Sequence, residues 1–242
     1  MAESRYRFSF ELAAADYEQA RPPYAQEAVD WAVGCLGLGP GSRVLDLAAG
    51  TGKLTRQLVA RKLDVVAVEP GEEMRAVFKR ELPGVEAFAG SAEEIPLDDA
   101  SVDGITVGQA FHWFETASAL AEMHRVLAPG RGFALLWNQL NQADPLLGAV
   151  DDLLRPRDPA RRSRWRDDYD ERLFGPLEER AFYEERAMGS DQLAAWVAST
   201  SRVLTAPVEE QEQIDREVRR LAGMHGDTVT IRTFVVLAPG LG

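Results

Sequence analysis

VLDLAAGTGKL (Val44–Leu54) is an apolar run that breaks into small residues and then into a helical pattern. Arg43 to Leu47 reads as a buried strand, Gly50 and Gly52 as a tight turn, and about Lys53 to Lys62 as a helix. Such a turn lets backbone amides approach a ligand, because residues without bulky side chains permit close contact. The same rhythm continues outward. Upstream, Tyr24 to Leu36 carries apolar residues at helical spacing and ends in Gly37, Gly39, Pro40 and Gly41. Downstream come a strand at Asp64 to Val68, a helix at Glu72 to Glu81 and a short strand at Val85 to Ala89. A fourth strand at Val102 to Val107, a helix at Ala117 to Leu127 and a fifth strand at Gly132 to Trp137 follow. Short, nearly continuous apolar strands separated by helices indicate a parallel sheet covered on both faces, so the fold class is α/β.

Beyond Asn138 the texture changes. Residues 139–180 are polar and crowded with charge, and RPRDPARRSRWR (Arg155–Arg166) carries six arginines. A strand-like piece at Arg180 to Ala187 precedes two helical segments, at about Asp191 to Thr200 and Val208 to Ala222. TVTIRTFVVLA (Thr228–Ala238) is rich in β-branched residues and reads as the last strand. No repeat or low-complexity linker intervenes, so this second part reads as a completion of the same sheet with helices inserted into it.

Composition bounds the function. A chain of 242 residues with 45% hydrophobic content suits one domain with a sizeable insertion. The net charge of −12 argues against a nucleic-acid partner, whose phosphates are bound mainly by Lys and Arg. One cysteine, Cys35, excludes an intramolecular disulfide and fits a reducing cytoplasm. The first twenty residues scatter their charges and lack the apolar core of a signal peptide. No uninterrupted apolar stretch of about 18 residues occurs, so no membrane span is expected. The expectation is a cytoplasmic protein whose oligomeric state the sequence leaves open.

Three ligand classes compete for the glycine turn. A P-loop requires Gly-Lys followed by Ser or Thr, and here Gly52 and Lys53 are followed by Leu54, without a hydroxyl for magnesium. A dinucleotide turn requires a third glycine, and Leu54, Thr55 and Arg56 stand where it should come. The third class is a sulfonium nucleoside, which has no phosphate to cradle. It needs a flat backbone beside a carboxylate, and Glu69 at the end of the second strand supplies one.

Asp46 at the first strand's end, the small residues Ala48, Gly50 and Gly52, and Glu69 one strand later resemble the class I S-adenosylmethionine-dependent methyltransferases over about residues 43–138. QAFHWF (Gln109–Phe114) and DYEQARPPY (Asp16–Tyr24) are similar to a small-molecule subgroup of that family, trans-aconitate methyltransferase-like and of methyltransferase type 11, found in many bacteria. The resemblance implies a Rossmann-like, mostly parallel sheet of seven strands with helices on both faces, the last strand antiparallel, and a helical cap. It implies a single domain over 1–242, with an N-terminal helical lid (1–36), a cofactor-binding core (43–138), substrate-side insertions (139–227) and a final strand (228–238). The implied activity is methyl transfer from S-adenosyl-L-methionine, released as S-adenosyl-L-homocysteine, to oxygen, carbon or nitrogen of a small molecule in metabolite or natural-product biosynthesis. No metal is implied.

The resemblance also assigns residues. Glu69 takes both ribose hydroxyls, a bidentate task suited to a carboxylate, with Pro70 beside it. Ala48, Gly50 and Gly52 supply the backbone surface and Asp46 a nearby acid; Ala48 stands where the commonest relatives have their first glycine. Met74 walls the adenine. In AGSAEEIPLDDASVDGI (Ala89–Ile105) the Ser91 side chain and the Ala92 amide meet that ring, Ser91 standing where many relatives carry aspartate. Gln109 and Ala110 line the methionine part, and Tyr17 and Arg21 approach it from the N-terminal segment.

His112 and Trp113 should point toward substrate or cofactor. A histidine titrates near neutrality and suits a general base; the other reading of His112 is a hydrogen-bonding residue that holds its loop. Arg21 reads either as a partner for a carboxylate of cofactor or substrate, or as a surface tie for the N-terminal helix. Asn138 and Trp165 are placed on the substrate side, with Tyr169, Phe174, Trp196 and Arg202 on the same variable parts. Trp196 also fits a core position, and the arginine run fits a solvated helix face. His124 belongs to scaffold and His225 to an exposed turn. Other functions compatible with the same cofactor marks are a non-methylating regulatory protein of this fold and a sulfonium-assisted cyclisation or rearrangement.

Overall fold

The computed structural model describes residues 20–154 and 165–241. Seven strands form one sheet: β1 (Arg43–Leu47), β2 (Asp64–Val68), β3 (Glu86–Phe88), β4 (Val102–Gly108), β5 (Leu127–Gln139), β6 (Glu178–Ala187) and β7 (Thr228–Ala238). Their order across the sheet is β3-β2-β1-β4-β5-β7-β6. The pairs β1–β2, β1–β4, β2–β3 and β4–β5 are parallel. β7 runs antiparallel to both its neighbours, β5 and β6. The expected sheet of seven strands with an antiparallel last strand is therefore the observed one. The chain reverses sideways between β3 and β4, which moves from the outer edge back beside β1, so a crevice opens beyond the carboxyl ends of β1 and β4.

Helices fill the connections: α1 (Gln26–Cys35), α2 (Lys53–Val59), α3 (Glu72–Glu81), α4 (Thr116–Val126), α5 (Pro145–Leu154), α6 (Glu171–Phe174), α7 (Ser190–Ala198), α8 (Ser201–Leu204) and α9 (Val208–His225). The apolar strands feed two cores, because alternate side chains point to opposite faces. Leu45, Leu47, Val66, Val68, Phe133 and Leu135 pack on one face against Ala119, Leu120, Met123 and Val126 of α4. Val44, Val65, Ala134, Leu136, Val235 and Leu237 pack on the other against α1 and α2. A continuous run such as Phe133–Leu136 is thus one side chain for each face in turn. The described part of the 1–36 segment includes α1, whose Ala28, Val29 and Ala32 are buried in this second core.

A third cluster stands apart from both faces. Leu146, Leu147 and Val150 of α5, Leu193, Ala194, Trp196 and Val197 of α7, and Ile214, Val218 and Ala222 of α9 pack with Met188, Val229 and Ile231. Since β7 is antiparallel, its first residues lie beside the last residues of β5, with Asn138 opposite Thr233. The cluster therefore caps the carboxyl end of the sheet. α5 falls in the region read from sequence as polar insertion; its apolar stripe (PLLGAVDDLL) is masked there by the arginine-rich stretch that follows. Arg155 to Arg164 of that stretch lie outside the described residues. No helix among the described residues is long and apolar enough to cross a membrane.

Candidate active site

The turn after β1 is shaped by three residues with left-handed backbone: Ala48 (φ 55°), Gly50 (φ 58°) and Gly52 (φ 90°). The two glycines serve different ends. A Cβ on Gly52 would lie 2.6 Å from Leu82 Cδ1 and 2.9 Å from Phe78 Cδ2, so glycine there lets α3 and the residue after it close on the turn. A Cβ on Gly50 would meet nothing within 4 Å. Gly50 faces open space at the wall of a cavity of about 510 Å³, a size usual for small-molecule sites. Ala48 lines the same cavity while holding a conformation that costs a non-glycine residue about 1–2 kcal/mol. Gln109 at the end of β4, also with positive φ (61°), lines it too. Strain of this kind collects where backbone must meet a ligand.

Glu69 ties the turn to the next strand. Its Oε2 accepts from the Gly50 amide at 2.9 Å and its Oε1 from the Gly71 amide at 2.8 Å, and the residue is buried. The Gly50 amide, the donor a pyrophosphate would need, is thereby given to a carboxylate whose charge would repel that phosphate. A carboxylate offers about four acceptor positions, so holding two amides is compatible with receiving ribose hydroxyls from the cavity side. The donors and acceptors at this end fit an uncharged ribose. Pro70, Gly71 and Met74 continue the wall. Arg75 fixes their path, its Nη1 donating to the carbonyls of Glu69 (2.7 Å) and Pro70 (2.6 Å).

Asp46 sits behind the turn. It is 1% exposed, with Oδ2 accepting from Thr55 Oγ1 at 2.5 Å and Oδ1 from Thr106 Oγ1 at 3.3 Å. Burial pushes its carboxyl up to about 7 against the downward pull of those hydroxyls, and the charge of Glu69 adds to the rise. It borders a small crevice of about 40 Å³ shared with Ala48, Gly50 and Lys53, rather than the main cavity. Its bonds fasten β1 to α2 and β4.

The other end of the cavity is built from side chains. His112, Trp113 and Phe114 come from a 3-10 turn after β4, Leu140 follows β5, and Trp196, Val197, Thr200 and Ser201 come from α7 and the start of α8. His112 is exposed at the mouth with its ring 4.7 Å from that of Trp113. Trp196 both packs in the cap and lines the cavity, so its two sequence readings are one position. The chain from Arg21 to Ala25 is strapped between this end and the turn after β1, where Arg21, Pro22 and Tyr24 line the small crevice with Asp46 and Lys53. Prolines carry no backbone N–H, so Pro22 and Pro23 offer only carbonyls, and Asn138 Nδ2 donates to both, at 3.0 and 3.1 Å. Thr233 Oγ1 donates to Asn138 Oδ1 (2.7 Å) and accepts from the Ala25 amide (3.1 Å). Gln57 brackets Tyr24, its Nε2 donating to the carbonyl and its Oε1 accepting from the amide. Arg21 donates through Nε to Ser199 Oγ (3.1 Å) and through Nη2 to the Ser199 carbonyl (2.9 Å), joining the strap to the end of α7.

The structure therefore gathers Arg21, Ala48, Gly50, Glu69, Pro70, Met74, Gln109, Ala110, His112, Trp113 and Asn138 around one cavity. Asn138 reaches it with its amide turned to the strap, and Gln109 Nε2 donates to the Asn138 carbonyl at 2.9 Å. Gly52 lies behind the wall. Ser91 and Ala92 lie outside the lining; Ser91 Oγ accepts from the Glu93 amide and Ala92 is packed in the core. Trp165 is outside the lining, buried in the core that α4 covers, edge-on at 5.3 Å to Phe111 of the 3-10 turn, with Tyr169 and Phe174 beside it. Arg202 pairs with Glu210 at the surface, and His124 stands edge-on to Phe174 at 5.7 Å. Tyr17 lies outside the described residues. Sequence reasoning did not find Leu140, Val197, Thr200 or Ser201, since nothing local marks them and only the cap brings them here. No group of three or more potential metal ligands occurs among the described residues.

Comparison with known proteins agrees with this geometry. A methyltransferase-domain family profile matches residues 45–135. The chain is 39% identical over 223 residues to an uncharacterized methyltransferase of Mycobacterium tuberculosis, covering 90% of this chain and 86% of that protein. It is 34% identical to a methyltransferase-like protein of Schizosaccharomyces pombe, covering 92% and 89% of the two chains. Among solved structures, a protein described as a type II methyltransferase from Anaeromyxobacter dehalogenans shares the fold, with a TM-score of 0.66, 23% identity, and coverage of 91% of this chain and 98% of that one.

Proposed function

The chain belongs to the methyltransferase family, and on that premise we propose that it methylates a small-molecule acceptor at oxygen, carbon or nitrogen, with S-adenosylmethionine as donor. The observation that carries this reading is the meeting, around one cavity, of the Gly50 turn, the Glu69 carboxylate bonded to it, and His112. Glu69 would hold the ribose, Met74 and Pro70 would flank the adenine, and Gln109 with Ala110 would lie along the methionine part. Bound there, the cofactor supplies a methyl group already activated by a positive sulfur and leaves as S-adenosylhomocysteine.

The remaining work belongs to the chain's own residues. They orient the acceptor, exclude water and take up a proton, since alignment of two reactants is the larger part of such a transfer. His112 at the mouth would accept the acceptor's proton. Arg21 holds the strap to α7, and Asn138 holds it to β5 and β7, so the acceptor end has a roof. In domain terms, 43–138 would serve the cofactor, 139–227 the acceptor, 228–238 would complete the sheet, and of the 1–36 segment the strap at 21–25 would cover the site while α1 packs on the sheet. The single cysteine supports a cytoplasmic setting, and a cavity sized for a small molecule supports a role in metabolite or natural-product biosynthesis.

Calorimetric titration with S-adenosylhomocysteine tests the reading. The wild-type protein should bind in the micromolar range. Glu69→Ala should weaken binding by about 10- to 100-fold, the loss expected for a charge-assisted hydrogen-bonding group. Binding of NAD with none of S-adenosylhomocysteine would overturn the assignment.

A further inference from the structure

Resting on the methyltransferase reading, we propose that the acceptor is an uncharged aromatic molecule, and that the cap selects against carboxylate- or phosphate-bearing acceptors. The argument begins with the walls. The acceptor end is faced by the rings of Trp113, Phe114 and Trp196 and the aliphatic chains of Leu140 and Val197. Its polar groups are the hydroxyls of Thr200 and Ser201, the imidazole of His112, and Arg21 and Asn138, which are bonded to Ser199 and to the strap. Thr200 Oγ1 already donates to the Val197 carbonyl at 2.7 Å, which leaves it as an acceptor toward the cavity. Aromatic walls with a small number of hydroxyl-sized polar groups suit a flat ring carrying a hydroxyl or a comparably acidic group.

Charge decides between neutral and anionic acceptors. Among the described residues of the lining, Glu69 and Arg21 are the carboxylate and the guanidinium, and Glu69 stands at the cofactor end. Arg21 donates twice to Ser199, so an anion would have to share that guanidinium with the strap. The other arginines of the acceptor side that are described are turned elsewhere. Arg202 pairs with Glu210, Arg166 pairs with Glu179 and lies over Trp165, and Arg186 pairs with Glu184. An anion among Trp113, Leu140 and Val197 would lose hydration with little among the described residues to replace it, whereas a neutral ring gains by leaving water.

A matched pair of probes tests the proposal, 2-naphthol and 2-naphthoate, which share a ring system and differ in charge. Each is titrated calorimetrically into protein saturated with S-adenosylhomocysteine, after that ligand's own binding has been measured. The expected result is at least tenfold tighter binding of naphthol. Leu140→Arg, which places a cation on a half-buried position of the wall, should bring the ratio below threefold. Equal or tighter binding of naphthoate to the wild type, or no binding of either probe to the loaded protein, overturns the proposal while leaving the methyltransferase reading intact. Failure of S-adenosylhomocysteine to bind at all sinks both together. The wild-type comparison stands by itself if Leu140→Arg does not fold.

Discussion

At one end of the cavity the walls are backbone, and at the other they are side chains. The turn of Ala48 and Gly50, the amide of Gly71 and the end of β4 at Gln109 all follow the carboxyl ends of the parallel strands β1, β2 and β4, and Glu69 fastens two of them together. The acceptor end draws on Arg21, Asn138, Trp196 and Ser201, which span almost the whole chain and meet because β7 reverses direction beside β5. The first end is rigid by construction, since strand register fixes where each carboxyl end stops. The second depends on packing of α5, α7 and α9 and on the hydrogen bonds that tie down the strap. A site divided in this way keeps its donor geometry while the cap is free to change, which separates recognition of the cofactor from choice of the acceptor.

Substitutions can break or sharpen that division. The largest effect should come from His112→Ala, which removes the proposed base at the border of the two ends. Turnover should fall by about 10²- to 10⁴-fold, the usual worth of a general base, with affinity for S-adenosylhomocysteine within threefold of wild type. Losses of equal size in turnover and affinity would make His112 a residue that only holds the 3-10 turn.

The two glycines of the turn offer a second contrast. Gly52→Ala combines a left-handed φ with a contact 2.6 Å from Leu82 and should destabilise the protein by about 2–4 kcal/mol in urea unfolding. Gly50→Ala, with open space around its Cβ, should cost only about 1 kcal/mol. Its methyl group should nonetheless reduce cofactor affinity at least tenfold. Similar cofactor affinity in Gly50→Ala and wild type would mean that the turn does not touch the cofactor.

Asp46 gives the most specific test. Its carboxyl is raised to about 7 by burial from an ordinary value of 3.8. The native state therefore keeps a proton that the unfolded chain has released. The stability this supplies is complete below 3.8 and is lost as pH rises through about 7. Asp46→Asn carries no such proton, so its stability relative to wild type should rise by about 1–3 kcal/mol between pH 4 and pH 8. Urea midpoints at the two pH values check this, and a difference independent of pH would show that Asp46 is ionised in the native protein throughout.

What was readable without coordinates follows the same division. The helix Glu72–Glu81 and the strands Arg43–Leu47, Asp64–Val68 and Thr228–Ala238 coincide with the elements found, because apolar periodicity and bounding glycines and prolines are local signals. Glu69 was legible for the same reason, as an acid ending a strand one unit after a glycine turn. Trp165, Tyr169 and Phe174 were not. Aromatic residues on a charged insertion suit a pocket or a core equally well, and the aromatic contacts among Phe111, Phe133 and Phe174 that draw them into the core beneath α4 are not encoded nearby. α5 was hidden by its setting, and Asn138 looked like a substrate contact because a polar residue at a strand end gives no sign of the strap it holds.

By itself, then, the sequence determined the sheet, the turn and the carboxylate beside it, since each is written in residues close along the chain and governed by backbone sterics. Only the tertiary structure decided the acceptor end. There the reversal of β7 sets Thr233 against Asn138, Asn138 takes the carbonyls of two prolines, and Arg21 reaches Ser199. Those contacts join positions 95 to 178 residues apart, and their energies come from burial and hydrogen bonds that exist only once the sheet has formed around them.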